Sequence, residues 1–307
     1  MKADVKTGSP RAEHVTLGIL LMIGATFMFS VSSAASKLLV ADYPPGEVMF
    51  VRTAISLIVV AMVILPRTGF AVYRTSKPGS HVLRAMSQTA SQTCIILAFS
   101  LMPFASVVAI SFAAPLVATL ASAYFLREPV GGARWIALII GFLGVLIVTN
   151  PGAETFQIGA LFALGNAILY GTVTAGVRGM SGTESTDTLM MYQMTLLTFT
   201  FGCMLPLGAK WPATGMDVLW MLVLGFANVI GQYWWTRALH VAPTSAVSPF
   251  YYLMLVWSLL IGFAVWGDLP TVSLLIGSAV VVGSGLFLLW REARKPQQRT
   301  QPPADIE

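Results

Sequence analysis

The sequence predicts an all-α integral membrane protein whose ten transmembrane helices form two inverted five-helix repeats. Three observations support this fold class. Of the 307 residues, 56% are hydrophobic and only 10% are charged, whereas about a quarter of a soluble domain is charged. The hydrophobic residues lie in runs close to the roughly 20 residues that a helix needs to cross a bilayer. The first half of the chain also resembles the second half at a constant offset.

Ten apolar runs are separated by short segments rich in Pro and Gly, which end helices. The predicted spans are 15–40, 46–66, 80–101, 103–126, 134–150, 158–178, 187–208, 217–238, 244–266 and 273–290. Clear breaks are Pro44-Pro45-Gly46, Lys77-Pro78-Gly79, Asn150-Pro151-Gly152 and Gly267-Asp268-Leu269-Pro270. The first run is too long for the core of a signal peptide, so we expect it to be retained. Segments 1–14 and 291–307 are predicted tails.

Lysine and arginine are distributed unevenly between alternate connections. If the N-terminus is cytoplasmic, every Lys and Arg except Lys37, Arg52 and Lys210 lies on or near the cytoplasmic side. Because positive residues concentrate in cytoplasmic connections, we predict a multi-pass protein of the bacterial inner membrane with both termini in the cytoplasm. The placement of these charges argues against a nucleic-acid partner.

The repeat divides the chain into halves at 15–150 and 151–290. An offset of 141 residues aligns Gly18 with Gly159, Gly24 with Gly165 and Lys37 with Arg178, and an offset of 140 aligns Gln88 with Asn228 and Gln92 with Gln232. Five spans are an odd number, so the second copy enters the membrane from the opposite side. Inverted repeats are typical of carriers that alternate access around a midplane site.

The ten-span layout, the inverted halves and the end of the fourth span, Leu126-Arg127-Glu128-Pro129, resemble the drug/metabolite transporter superfamily. The resemblance covers 15–290 and is to the EamA-type branch, which includes YddG-like amino-acid and metabolite exporters. It implies that spans 1, 3, 4, 6, 8 and 9 surround a central cavity, with spans 5 and 10 peripheral. The smaller four-helix multidrug relatives carry a membrane-embedded Glu in their first helix. Span 1 here has only Ser and Ala at those depths.

Matching amide pairs are the strongest candidates for a substrate site. Gln88 and Gln92 lie one turn apart on span 3, and Asn228 and Gln232 repeat that arrangement on span 8. Amides both donate and accept hydrogen bonds, so they suit a zwitterion or a polyol; alternatively, they only join helices. The other candidate cavity residues are Ser111, Asn166, Tyr170, Trp235, Ser248, Tyr251 and Tyr252.

Lys37 and Arg52 are the charges that lie deepest in the predicted spans. Long basic side chains commonly extend toward the nearest interface. The alternative is that both face an outer vestibule and attract a carboxylate.

The absence of several motifs narrows the function. All Asp and Glu residues lie in tails, in connections or in the first residues of spans, which disfavours coupling through a buried carboxylate. The sequence has no phosphate-binding loop and no catalytic or metal-ligating motif, so we expect no cofactor. We predict a monomeric, facilitative exporter of small neutral or zwitterionic metabolites, with amino acids, including aromatic ones, as the leading substrates. The alternatives are a transporter of anionic, phosphorylated metabolites and a membrane-embedded lipid-modifying enzyme.

Overall fold

The computed structural model describes residues 10–125, 132–149, 158–180, 184–242 and 247–293. Within these ranges the regular structure is helical, without β-strands. The α-helices are α1 (Pro10–Leu39), α2 (Pro45–Thr68), α3 (Pro78–Leu101), α4 (Phe104–Ser111), α5 (Ala114–Phe125), α6 (Gly132–Thr149), α7 (Ile158–Met180), α8 (Thr186–Gly202), α9 (Gly215–Val241), α10 (Leu253–Trp266) and α11 (Val272–Ala293). Short 3₁₀ helices occupy Gly69–Tyr73, Leu205–Leu207 and Ser248–Tyr252.

Each predicted span overlaps one of these helices, but two spans are not single α-helices. Span 4 is divided into α4 and α5, because the chain turns at Phe112 and Ala113 and restarts with Pro115 in the first turn of α5. A proline is tolerated there, since the first amides of a helix have no intrahelical acceptor. Span 9 begins as the 3₁₀ helix Ser248–Tyr252 and continues as α10.

By length and composition, three helices among the described residues are able to cross a membrane: Val15–Leu39, Pro45–Tyr73 and Gly215–Ala238. Five shorter apolar helices accompany them. The count of ten membrane crossings therefore stays a prediction.

Contacts between the two halves, α1–α6 and α7–α11, occur in equivalent pairs. In such a pair, each helix of one contact is replaced in the other by its equivalent from the other half. The contact of α1 with α9 matches that of α3 with α7, and the contact of α2 with α9 matches that of α3 with α8. The contact of α1 with α10 likewise matches that of α7 with α4 and α5. In two further contacts a helix packs on its own equivalent: α2 on α8, and α6 on α11. This pattern is expected for a two-fold relation between the halves. Their opposite insertion into a bilayer remains a prediction.

The contact between α6 and α11 depends on small residues. A Cβ added at Gly144 would lie 2.9 Å from the carbonyl oxygen of Gly277, and one added at Gly277 would lie 2.6 Å from that of Gly144. The two backbones therefore approach each other directly. By contrast, a Cβ added at Gly283, also on α11, would meet nothing within 4 Å among the described residues.

Hydrogen bonds and ring contacts identify the connections that share an end of the bundle. The upper end contains the connection 40–44, Met102 and Pro103, the segment 203–214 and the connection 267–271. The lower end contains the connection 69–77 and residues 184 and 185. The sequence predicts that the lower end is cytoplasmic.

Candidate transport site

Arg52 of α2 points into the helix bundle and binds an amide of the other half. Its Nε and Nη2 donate to Oδ1 of Asn228 on α9, at 3.0 and 2.7 Å. Nδ2 of Asn228 donates to the Ser56 hydroxyl at 2.9 Å, and that hydroxyl donates to the carbonyl oxygen of Arg52 at 2.8 Å. The acceptor that holds the Arg52 guanidinium is thus on α9 rather than at the outer interface, and the expectation that Arg52 lines an outer vestibule stays a prediction.

Arg84 of α3 forms a second arginine–amide pair, this time with α8. Its Nη1 donates to the carbonyl oxygen of Leu189 at 3.3 Å, and its Nη2 donates to Oε1 of Gln193. From the sequence, Arg84 counted only among the positive residues near the cytoplasmic side and was not a candidate site residue. Its spacing from Gln88 and Gln92 puts the three residues on one helical face, and this pattern could have identified it.

Tyr170 of α7 lies within electrostatic reach of both guanidinium groups, Arg52 and Arg84. It keeps 44% of its surface accessible. Its neighbours Arg52 and Arg84 are half-buried charges on two other helices, so we interpret the accessible part as facing a space inside the bundle. The structure thus joins Arg52 to Asn228, both selected from the sequence, and places Tyr170 between this pair and the separate pair of Arg84 and Gln193.

Neither arginine pairs with a carboxylate in the described residues. The one ion pair found there joins Nε2 of His81 to Oε2 of Glu184, at 3.8 Å. Charges within a membrane protein are costly and usually have a partner or line a solute path. Two embedded guanidiniums held by neutral acceptors therefore mark the candidate site.

Asn166 joins helices in this structure. The Ser91 hydroxyl donates to Oδ1 of Asn166 at 2.9 Å, and Nδ2 of Asn166 donates to the Ser111 hydroxyl at 3.2 Å. Asn166 is 8% exposed. These bonds tie α7 to α3 and α4, so for Asn166 and Ser111 the helix-joining interpretation fits better than cavity lining.

The remaining amides do not form equivalent pairs. Gln88 is buried, and Oε1 of the half-buried Gln92 is enclosed without a hydrogen-bond partner among the described residues. Gln232 is half-buried, and its backbone carbonyl accepts from Thr236. Trp235 packs against a buried apolar cluster that includes Met22, rather than extending the line of amides.

The tyrosines of span 9 pack within the apolar core. The ring of Phe112 lies 5.9 Å from that of Tyr251 and 5.2 Å from that of Tyr252, measured between centroids. A Cβ added at Gly285 of α11 would overlap the Tyr252 hydroxyl, so this hydroxyl points at α11. Ser248 begins the 3₁₀ helix, but its side chain lies outside the described part of the structure.

Lys37 lies in a pocket of about 310 Å³ at the upper end. Its Nζ donates to the carbonyl oxygen of Met102 at 2.6 Å and lies 5.0 Å from the centroid of the Trp266 ring. An ammonium group over an aromatic face is favourable. This position corresponds to the predicted outer vestibule, although Arg52 does not line the pocket.

At the upper end, the connections 40–44 and 203–214 are joined by a group of hydrogen bonds that we call the upper clasp. The Tyr43 hydroxyl donates to Oδ2 of Asp217 at 2.8 Å and accepts from the backbone amide of Ala213 at 2.9 Å. The backbone amide of Lys210 donates to Oε2 of Glu47 at 3.0 Å. These contacts join the two halves.

The lower clasp joins the connection 69–77 to Glu184 and α8. The Thr75 hydroxyl donates to Oε1 of Glu184, and the Tyr192 hydroxyl donates to the carbonyl oxygen of Tyr73, both at 2.7 Å. The His81 ring stacks on Tyr192 with centroids 4.2 Å apart. The repeat offset aligns Tyr43 of the upper clasp with Glu184 of the lower clasp, so equivalent connections form the two clasps.

The amino-acid sequence matches a known family of membrane proteins in both halves. A model of the EamA-like transporter family matches residues 16–150 and again 157–290. This chain belongs to the EamA-like transporter family. The two matches coincide closely with the halves read from the sequence, and they identify a membrane transporter of the drug/metabolite superfamily.

Relatives of this EamA-like transporter have assigned solutes. A riboflavin transporter of Vibrio cholerae is 28% identical over 93% of this chain and 97% of its own length. An S-adenosylmethionine uptake transporter of Rickettsia conorii is 25% identical over 89% and 93%. A solved crystal structure shares the fold with a TM-score of 0.62 at 21% identity, covering 93% of this chain and all of that one. These two relatives are not named amino-acid exporters, so the YddG-like assignment remains a prediction.

Proposed function

We propose that this EamA-like transporter carries a water-soluble organic metabolite through the space between α2, α3, α7 and α9, with Arg52 and Asn228 as its binding groups. One observation carries the proposal. Arg52 lies within the bundle, bonded to a neutral amide and without a carboxylate partner in the described residues. A guanidinium group in this state can exchange part of its bonding for a carbonyl, carboxylate or phosphate oxygen of a solute.

The relatives suggest which metabolites to test first. Riboflavin and S-adenosylmethionine each join a nitrogen heterocycle to a polar chain, and both are larger than most amino acids. The accessible ring of Tyr170 beside Arg52 offers an aromatic surface to such a heterocycle. Amino acids remain candidates, because Arg52 suits a carboxylate. We propose alternating access without a coupled ion, in line with the predicted absence of membrane-embedded acids.

The experiment is counterflow into proteoliposomes that contain the purified protein. Vesicles loaded with unlabelled solute receive labelled riboflavin, S-adenosylmethionine, tryptophan or glucose 6-phosphate. We expect accumulation of at least one of the first three above protein-free vesicles, and the failure of all four would contradict the proposed function. Faster flux of glucose 6-phosphate than of the others would instead support transport of phosphorylated metabolites.

Arg52→Gln tests the site itself. A hydrogen bond to a charged group contributes roughly 1.5–3 kcal/mol, so we expect counterflow to fall about tenfold or more. Arg67→Gln is the matched control: it lies on the same helix, near the lower end, and is exposed. Equal flux in both variants, with normal folding by size-exclusion chromatography, would show that Arg52 does not bind the solute.

A further inference from the structure

Two interfaces related by exchange of the halves each contain one arginine–amide pair. At the interface of α2 with α9, the arginine Arg52 is on α2 and the amide Asn228 is on α9. At the equivalent interface of α8 with α3, the amide Gln193 is on α8 and the arginine Arg84 is on α3. The repeat offset aligns Arg52 of α2 with Gln193 of α8. Both interfaces therefore contain an arginine bonded to an amide, but the arginine is on α2 in one and on α3, the equivalent of α9, in the other.

The two arginines lie at different depths. Arg52 is about two turns from the start of α2 at the upper end, and Arg84 is about two turns from the start of α3 at the lower end. Tyr170, near the middle of α7, lies within electrostatic reach of both. By depth, Tyr170 therefore lies between the two arginines.

The bonding of Arg84 leaves its charge uncompensated. Its described acceptors, the Leu189 carbonyl and the Gln193 amide, are neutral, and its Nε is buried without a partner in the described residues. Glu184, the acidic residue nearby, is instead engaged by Thr75 and His81. A buried donor without an acceptor is unfavourable, and an anionic oxygen at this position would satisfy it.

We propose that Arg84 and Gln193 form a second binding station for an acidic group of the solute, which passes from Arg52 to Arg84 along Tyr170. The proposal rests on the proposed function and narrows its substrate class to metabolites that carry a carboxylate or a phosphate. Arg52 binds the acidic group in the upper half of the bundle. Arg84 receives it in the lower half.

Two pairs of solutes, each an acidic compound and a closely similar neutral one, test whether the acidic group of the solute determines transport. S-adenosylmethionine is compared with its carboxamide, which tests a carboxylate, and flavin mononucleotide is compared with riboflavin, which tests a phosphate. For the wild-type protein in proteoliposomes, we expect the acidic member of at least one pair to show about tenfold faster counterflow than its neutral partner. Equal or faster counterflow of the neutral members overturns the inference but leaves the proposed function intact, whereas counterflow of none contradicts both.

Variants test the two stations separately. Arg52→Gln should weaken equilibrium binding of the acidic probe about tenfold. Arg84→Gln should slow counterflow of the acidic probe about tenfold and slow its neutral partner much less. Arg84→Lys, which keeps the charge, should restore most of the counterflow. Equal slowing of the acidic and neutral probes by Arg84→Gln, or the same slowing by Gln193→Met, would show that Arg84 only ties α3 to α8.

Discussion

Replacing Asn228 with leucine tests whether the core of the candidate site is assembled as described. The change removes the acceptor of two hydrogen bonds from Arg52 and the donor of one to Ser56. Asn228 is neutral, so what is lost is hydrogen bonding to a charged group, which contributes roughly 1.5–3 kcal/mol. Because the half-buried Arg52 can partly recover bonds elsewhere, we expect a loss near the lower limit, about 2 kcal/mol.

The assay is equilibrium unfolding of the purified protein in mixed micelles, followed by helical circular dichroism, with counterflow measured on the same preparations. Gln232→Leu is the matched control, since Gln232 lies one turn further along α9 and is half-buried. No hydrogen bond of its side chain occurs among the described contacts, and we expect it to lose less than about 1 kcal/mol.

Asn228→Asp provides the complementary test. An aspartate would give Arg52 a carboxylate partner, so the protein should stay as stable as wild type. The paired guanidinium would no longer be available to an acidic solute, and counterflow of that solute should fall about tenfold. If Asn228→Leu is no less stable than Gln232→Leu and both still transport, the reasoning about this pair is refuted.

Three further predictions concern packing and the two clasps. Gly144→Ala should destabilise the protein by about 1–3 kcal/mol, because the new methyl group would meet the backbone of α11. The control Gly283→Ala should be neutral or stabilising. Thermal unfolding compares the two variants, and equal melting temperatures would contradict the close α6–α11 contact. Thr75→Val removes the bond to Glu184, so amide hydrogen exchange should accelerate at 69–77 and stay unchanged at 40–47. Tyr43→Phe removes two bonds of the upper clasp, so amide exchange should accelerate at 40–47 and stay unchanged at 69–77. Faster exchange at both ends in either variant would show that the clasps do not act separately.

The helices could be predicted largely from the sequence, because lipid requires long apolar runs and the connections contain Pro and Gly. Within span 4, Pro115 indicates a bend because a mid-span proline frees a carbonyl of the preceding turn, but it does not predict that the helix ends at Ser111 and restarts at Ala114. Phe112 and Ala113 are as apolar as their neighbours, and hydropathy does not report where the hydrogen-bond ladder is interrupted. Tertiary packing against Tyr251 and Tyr252 accompanies the break, and such packing has no local sequence signal.

The candidate site was only partly predictable. Asn228 and Tyr170 were selected because they are polar residues within apolar runs, and the structure places both near half-buried arginines. The direction of Arg52 could not be predicted, since it depends on an acceptor contributed by a distant helix. Arg84 was overlooked for a related reason: its position near the start of span 3 suggested an interfacial charge. Counting positive residues for orientation treats all of them alike, whereas the side chain of Arg84 turns toward Gln193.

The two clasps are the contacts that the proposed alternating access would have to open and close. Each joins the connection between the first two spans of one half to the connection between the second and third spans of the other half, and both are formed in this structure. Under the proposed alternating access, one clasp opens while the other stays closed. A solute shifts such an equilibrium only by its difference in affinity for the two states. If an acidic group bound at Arg52 favours one state and the same group bound at Arg84 favours the other, its movement between the two proposed stations would determine which clasp opens.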